Sequence, residues 1–146
     1  MNLSKYNGNY NPFAMNTHSK TKQKTYHQEQ HIKFYNSSSW AKLRLITLNE
    51  HPLCYICKIN NLLVSADTVD HCLVFKDVND PLASDSHNLY SLCGQCHANL
   101  TWYETKNKHK WLTMYQSGAT IGDIAKLKYN GYNKLNYVVD ADGYYV

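Results

Sequence analysis

Two Cys-x-x-Cys pairs, Cys54/Cys57 and Cys93/Cys96, leave 35 residues between their inner cysteines. A two-residue spacing lets one tight turn aim both thiolates at a single ion, and two such knuckles complete a tetrahedron. The chemistry this predicts is a structural zinc site. Redox use of either pair finds no thioredoxin-like context around it. His51 and His97 could replace a cysteine in the ligand set, but neither is needed. Between the knuckles stand Asp70-His71 and Asn88, and directly after the second comes His97. These are a carboxylate, an amide and two imidazoles, and a neutral imidazole can take a proton from water near pH 7. Cys72 is the fifth cysteine, and its expected use is that of a small buried hydrophobe.

The elements that must position these groups are short. Ser37, Ser38 and Ser39 precede WAKLRLITLNEHP, where a serine cap, apolar helical spacing and Pro52 predict a short helix leading to Cys54. Leu62–Val64 and Thr68–Phe75 read as two strands, the Asn79–Ser86 stretch as a loop and Leu89–Leu92 as a strand into Cys93. A helix starting near Gly94 would carry Cys96, His97, Leu100 and Thr101, with Gly118 as its latest stop. The tail TIGDIAKLKYNGYNKLNYVVDADGYYV predicts one short helix, a turn at Asn130-Gly131 and two strand-like runs around Asp140–Gly143.

With 146 residues, 43% hydrophobic and 18% charged, the chain suits one folded domain stapled by a metal rather than two full domains or a disordered protein. The net charge of +4 is unevenly spread. Residues 1–65 carry eight basic residues against two glutamates, residues 66–104 one lysine against six acids, and residues 105–146 six lysines against three aspartates. Basic flanks about an acidic centre suit a polyanion outside and cations within, although solvated surface charge has the same pattern. No apolar run reaches membrane-spanning length, the N-terminus lacks a signal-like apolar segment, and the odd cysteine count argues against a disulfide framework. A cytoplasmic protein without membrane contact is expected.

From Phe34 to Thr101 the sequence resembles the His-Asn-His (HNH) endonucleases, especially their short zinc-bearing phage type. The residues that carry the resemblance are FYNSSSW with Lys42-Leu43-Arg44, Pro52-Leu53-Cys54, Ala66, Val69-Asp70-His71, Asp85, Asn88-Leu89 and Leu92-Cys93 through His97. It implies an α+β fold: a small zinc-stapled ββα-metal core with an N-terminal helix and basic arm, and a C-terminal extension of helix and β-hairpin. With the composition of the flanks, the expected organisation is a flexible basic arm over 1–31, the nuclease domain over 32–104 and a docking or DNA-contacting extension over 105–146. In this reading Cys54, Cys57, Cys93 and Cys96 hold structural zinc. Asp70 and His97 hold a catalytic divalent cation such as Mg²⁺ or Mn²⁺, His71 is the general base and Asn88 fixes the loop around it.

The resemblance implies a metal-dependent DNA endonuclease acting in the cytoplasm, the host's if the chain is phage-encoded. Its partners would be DNA and the large terminase subunit or another phage protein, in genome packaging. Lys42, Arg44, Lys106, Lys108 and Lys110 are the candidate phosphate contacts. The chain departs from the family in carrying Leu100 where many relatives have lysine, Ala41 where a basic residue follows the tryptophan, Cys72 in place of an aliphatic residue, and no glycine pair in FKDVNDPLASDSHN. The alternative is a non-catalytic zinc-stabilised module that binds nucleic acid or a protein. His27 and His31, four residues apart, are expected in a solvated arm, His87 in a loop and His109 in the basic run Lys106–Lys110. Trp102, Tyr103 and Trp111 are expected to pack in the core rather than stack on bases.

Overall fold

The computed structural model describes residues 22–136. Helix α1 (Tyr26–Tyr35) starts at a reciprocal cap in which Thr25 and Gln28 each bond the other's backbone N–H. Helix α2 (Ser38–Glu50) starts where the Ser37 hydroxyl accepts from the Trp40 N–H at 3.1 Å, which singles out one of the three serines as the cap. A one-turn helix, α3 (Tyr55–Ile59), follows Cys54. Strand β1 (Thr68–His71) pairs antiparallel with β2 (Leu89–Leu92), placing Asp70 opposite Tyr90 and His71 opposite Leu89. Between the strands lie α4 (Pro81–Ser84), capped by Asp80 and opened by Pro81, and a 3₁₀ turn over Ser86–Asn88. Two long helices complete the described chain, α5 (Gly94–Gln116) and α6 (Ile121–Asn136). The fold is thus α+β, a two-stranded sheet among helices. No described helix is long and apolar enough to cross a membrane.

Several elements differ from the sequence expectation. Tyr26–His31, expected within the flexible arm, already belong to α1, because that helix has a side to bury. His31 stacks on Phe75 with ring centroids 4.0 Å apart and donates to the Phe75 carbonyl at 2.8 Å. His27 likewise reaches the Lys76 carbonyl at 3.1 Å, so neither histidine is merely solvated. Leu62–Val64 forms no strand. It runs exposed after a left-handed turn at Asn61 (φ 60°), tied back by Cys54 N–H to the Val64 carbonyl.

The strand expected over Thr68–Phe75 stops at His71, since beyond it the Asn88 side chain takes the place of a ladder partner. Helix α5 passes without a break through the expected boundary at 104/105, held by buried Leu100 and Trp111. It ends where Gly118 turns left-handed (φ 101°) and Ala119 N–H closes on the Met114 carbonyl. Helix α6 continues through Asn130-Gly131, where a turn was expected. Its apolar stripe Ile121, Ile124, Ala125 and Tyr129 is buried at helical spacing, and Gly131 lets the Tyr103 hydroxyl approach to 3.4 Å from where a Cβ would stand. The expected runs around Asp140–Gly143, and most of the arm over 1–31, lie outside the described residues.

Candidate metal and hydrolytic site

Cys54 precedes α3 and Cys57 lies on it, while Cys93 directly precedes α5 and Cys96 sits in its first turn. The four sulfurs lie within 4.8 Å of one another, with Cys57 at 3.7 Å from Cys96 and 4.0 Å from Cys93. Disulfide sulfurs would be about 2.05 Å apart. Ligands at about 2.3 Å from a tetrahedral zinc stand about 3.8 Å apart, so the cluster has the dimensions of a tetrathiolate metal site. Crowding divides the thiols: hydrogen bonding from Cys96 lowers Cys54 to about 4, while burial raises Cys57 to about 12. One thiolate stabilised by neighbouring S–H groups is a site ready to release further protons to a cation. Cys72 is apart from this cluster, buried with its thiol raised to about 12 by desolvation.

The sheet separates the neighbours Asp70 and His71, because successive side chains on a strand face opposite ways. The Asp70 carboxylate extends toward α5, and its Oδ1 lies 3.6 Å from Nε2 of His97. Two ligand atoms at about 2.1 Å from one divalent ion stand about 3.0 Å apart at right angles and about 4.2 Å apart when opposite. The observed distance falls between those limits, so this pair can share an ion and leave positions open. His97 is part-exposed and Asp70 buried, so the opening is on the histidine side.

His71 is 7% exposed and stacks on Trp40, with ring centroids 5.3 Å apart. Its Nε2 stands 2.9 Å from the Ala83 carbonyl. A carbonyl only accepts, so Nε2 carries the proton and Nδ1 keeps the lone pair. That lone pair accepts from the Tyr35 hydroxyl at 3.0 Å. Burial pushes the His71 pKa below 6.5, against the opposing pull of the Ala83 hydrogen bond and Asp70, so the neutral ring prevails at pH 7.

Asn88, fully buried, fixes the loop about this ring. Its Oδ1 accepts from Leu73 N–H at 2.7 Å, and its Nδ2 donates to the Leu73 and Leu82 carbonyls at 2.9 Å each. The amide therefore joins the segment after His71 to the turn bearing Ala83. Asp70, His71 and His97 open together into a cleft of about 470 Å³, with Arg44, Trp40 and Glu104 in its walls. A second cleft of similar size, lined by His51, Tyr55 and Tyr90, contains none of the three.

No protein-family model matches the chain, and no curated protein does. Among solved structures it is similar to the HNH endonuclease of the deep-sea thermophilic bacteriophage GVE2, crystallised with a manganese ion. The two are 30% identical over 56% of this chain and 88% of that one, with a TM-score of 0.45. The chain belongs to the HNH endonuclease family.

This HNH chain distributes the candidate phosphate contacts unevenly. Arg44 lines the cleft, its guanidinium donating to the Asp67 carbonyl, and Lys42, two residues before it on α2, is exposed and outside the cleft lining. Lys110 is exposed on α5 with its Nζ 5.0 Å from the Trp111 ring. Lys106 and Lys108 fall on the same helix, but their side chains, like that of Trp102, lie outside the described residues. Trp111 is buried in the core, Tyr103 is half-buried, and Leu100 is fully buried, so position 100 offers no phosphate contact. His87 is exposed beside Asp85, and His109 is exposed on α5.

Four residues were missed by sequence reasoning: Tyr35 and Glu104 in the cleft wall, and Lys128 and Tyr129 buried behind Asp70. Tyr35 meets the proposed base, and Glu104, Lys128 and Tyr129 surround Asp70. The Tyr129 hydroxyl donates to Asp70 Oδ2 at 2.9 Å, and the Lys128 ammonium lies 3.8 Å from the same oxygen and pairs with Glu104. Burial raises the Glu104 carboxyl above its ordinary range, and Lys128 pulls it back. One signal was present: Lys128 interrupts the apolar stripe of α6 with a charge, and a lysine on a buried face requires partners.

Proposed function

We propose that the protein is a divalent-metal-dependent DNA endonuclease, hydrolysing phosphodiester bonds in the cleft between β1 and α5. The observation that carries this reading is the convergence of Asp70 Oδ1 and His97 Nε2, 3.6 Å apart, on the cleft that also receives His71. His71 acts as general base: the Ala83 carbonyl fixes its Nε2–H, and Nδ1 takes the proton from a water that displaces or bridges the Tyr35 hydroxyl. Asn88 holds the two backbone segments that orient that ring. Asp70 and His97 would hold the cation, which when bound supplies Lewis-acid stabilisation of the phosphate and leaving oxygen. Arg44 is the cleft's phosphate contact, and Lys42 and Lys110, exposed outside the cleft lining, add positive charge to the surface. The four cysteines hold zinc, a choice supported by four soft sulfur donors at tetrahedral spacing.

A second reading, a zinc-stapled nucleic-acid-binding module without turnover, draws on the Tyr35 hydroxyl seated on the lone pair of Nδ1. Relaxation of supercoiled plasmid by zinc-loaded protein, with Mg²⁺ or Mn²⁺ added singly, separates the two. The endonuclease requires added metal and loses about 10²–10⁴-fold in rate in His71→Ala, with DNA binding and zinc content retained. Equal cleavage by wild type and His71→Ala would sink the reading, since the activity would then belong to a contaminant.

A further inference from the structure

Helix α6 lies beyond the segment that resembles the family, yet two of its side chains reach the metal-ligand candidate. Tyr129 is fully buried, with its ring against Tyr55 and Tyr90 at centroid distances of 5.4 and 5.0 Å. A carboxylate oxygen only accepts, so the Tyr129 hydroxyl donates to Asp70 Oδ2 at 2.9 Å. The Lys128 side chain is also fully buried, 3.8 Å from that oxygen, and it donates to the Cys72 carbonyl at 2.8 Å and the His71 carbonyl at 3.5 Å. Glu104 of α5 balances the ammonium.

Where Tyr129 and Lys128 meet β1, their polar contacts fall on one oxygen of Asp70 or on the carbonyls just after it. The other oxygen, Oδ1, is left facing His97. A carboxylate on a strand rotates about two side-chain torsions, and an ion gains little from a ligand that must be ordered at the moment of binding. Hydrogen bonds from behind remove that freedom and set which oxygen faces the ion.

We propose that α6 is part of the nuclease site, with Tyr129 a positioning residue that holds Asp70 Oδ2 so that Oδ1 meets the divalent cation, and Lys128 the clamp that fixes the end of β1 to the same helix. The inference rests on the endonuclease reading, because it assigns Asp70 to the cation.

The test is calorimetric titration of zinc-loaded full chain with Mn²⁺, with free Mn²⁺ counted by paramagnetic resonance, in wild type, Tyr129→Phe, Asp70→Asn and the double variant. Tyr129→Phe removes one oxygen and keeps the ring. It should raise the Kd for Mn²⁺ about 10–100-fold with zinc content unchanged. In the Asp70→Asn background the same change should add nothing, since Tyr129 acts through that carboxylate. An unchanged Kd in Tyr129→Phe, or equal weakening in both backgrounds, overturns this inference and leaves the endonuclease reading standing. Failure of Tyr129→Phe to fold as zinc-loaded protein also overturns it, by assigning the hydroxyl to stability. A wild-type chain that binds no Mn²⁺ overturns both.

Discussion

The Tyr35 hydroxyl donates to Nδ1 of His71 across 3.0 Å, on the one ring nitrogen that the Ala83 carbonyl leaves free. Tyr35 closes α1, so the first helix extends to the proposed base and supplies more than packing. Burial and the nearby acids Asp70 and Glu104 push its phenol up to about 12, which keeps it a donor throughout the neutral range. A donor to Nδ1 favours the uncharged ring. Tyr35→Phe should therefore raise the pKa of His71. A neutral hydrogen bond contributes about 0.5–1.5 kcal/mol, which bounds the upward shift of the acid limb of cleavage at about one pH unit. A pH–rate profile of the variant checks this, and a downward shift would contradict the assigned tautomer.

The pH dependence of wild type follows from burial of His71. Its folded pKa lies below the ordinary 6.5 because desolvation disfavours the imidazolium. A divalent cation beside Asp70 acts in the same direction. Cleavage should rise with pH along a limb whose midpoint falls below 6.5 and be flat, as far as this group is concerned, above it. Stability carries the same sign: between the two pKa values the unfolded chain binds the proton and the folded one does not. The contribution is therefore complete above 6.5 and is lost as pH falls toward the folded value. Chemical denaturation at a series of pH values with zinc held saturating reads the second effect, and a rate maximum near pH 5 would remove His71 from the role of base.

Much of this arrangement was legible in the sequence because its determinants are local. A Cys-x-x-Cys turn aims its own sulfurs, Ser37 caps its own helix, and an Asp-His pair on a strand must diverge. What was not legible depends on contacts made across the fold. His27 and His31 read as solvated because the surface they meet, Phe75 and the Lys76 carbonyl, lies more than 40 residues away in sequence. The end of β1 at His71 was hidden because an amide side chain, Asn88, substitutes for a strand. Asn130-Gly131 reads as a turn locally, and only the packing of α6 on α5 makes the same glycine useful within a helix. Lys128 carried one local signal, a charge within the apolar stripe of α6, but nothing local to it or to Tyr129 points to Asp70, 58 and 59 residues away, as their partner.

Asn88 should behave as a structural residue whose loss is felt at the base. Asn88→Ala strands the Leu73 N–H and the Leu73 and Leu82 carbonyls in a buried setting. Each unsatisfied group costs about 1–3 kcal/mol, so partial relaxation leaves a destabilisation on the order of 3 kcal/mol. Because the same contacts hold the turn that carries Ala83, cleavage should fall as well, even below the unfolding temperature. Thermal unfolding and single-turnover cleavage at a temperature where the variant is fully folded separate these effects. Full activity in the folded variant would show that Ala83 is held by other means.

The four-cysteine cluster should be inseparable from the fold. Helix α3 has a single turn, and the cluster joins that turn to the start of α5, which bears His97. Zinc binding to small tetrahedral sites releases about 10–16 kcal/mol in isolated fingers, more than the whole stability of many domains. Cys54→Ser replaces the thiol that most readily ionises, and a serine hydroxyl is a far poorer zinc ligand. The variant should bind less than one equivalent of zinc by chelator-coupled colorimetry and lose its cooperative unfolding transition, with cleavage lost as a consequence. Chelation of wild type should do the same, and readdition of Zn²⁺ alone should restore the fold but leave cleavage dependent on a second added cation. If Zn²⁺-depleted protein kept its cooperative transition, the cysteines would be a metal site without a structural role, and the approach of His97 to Asp70 would need another cause.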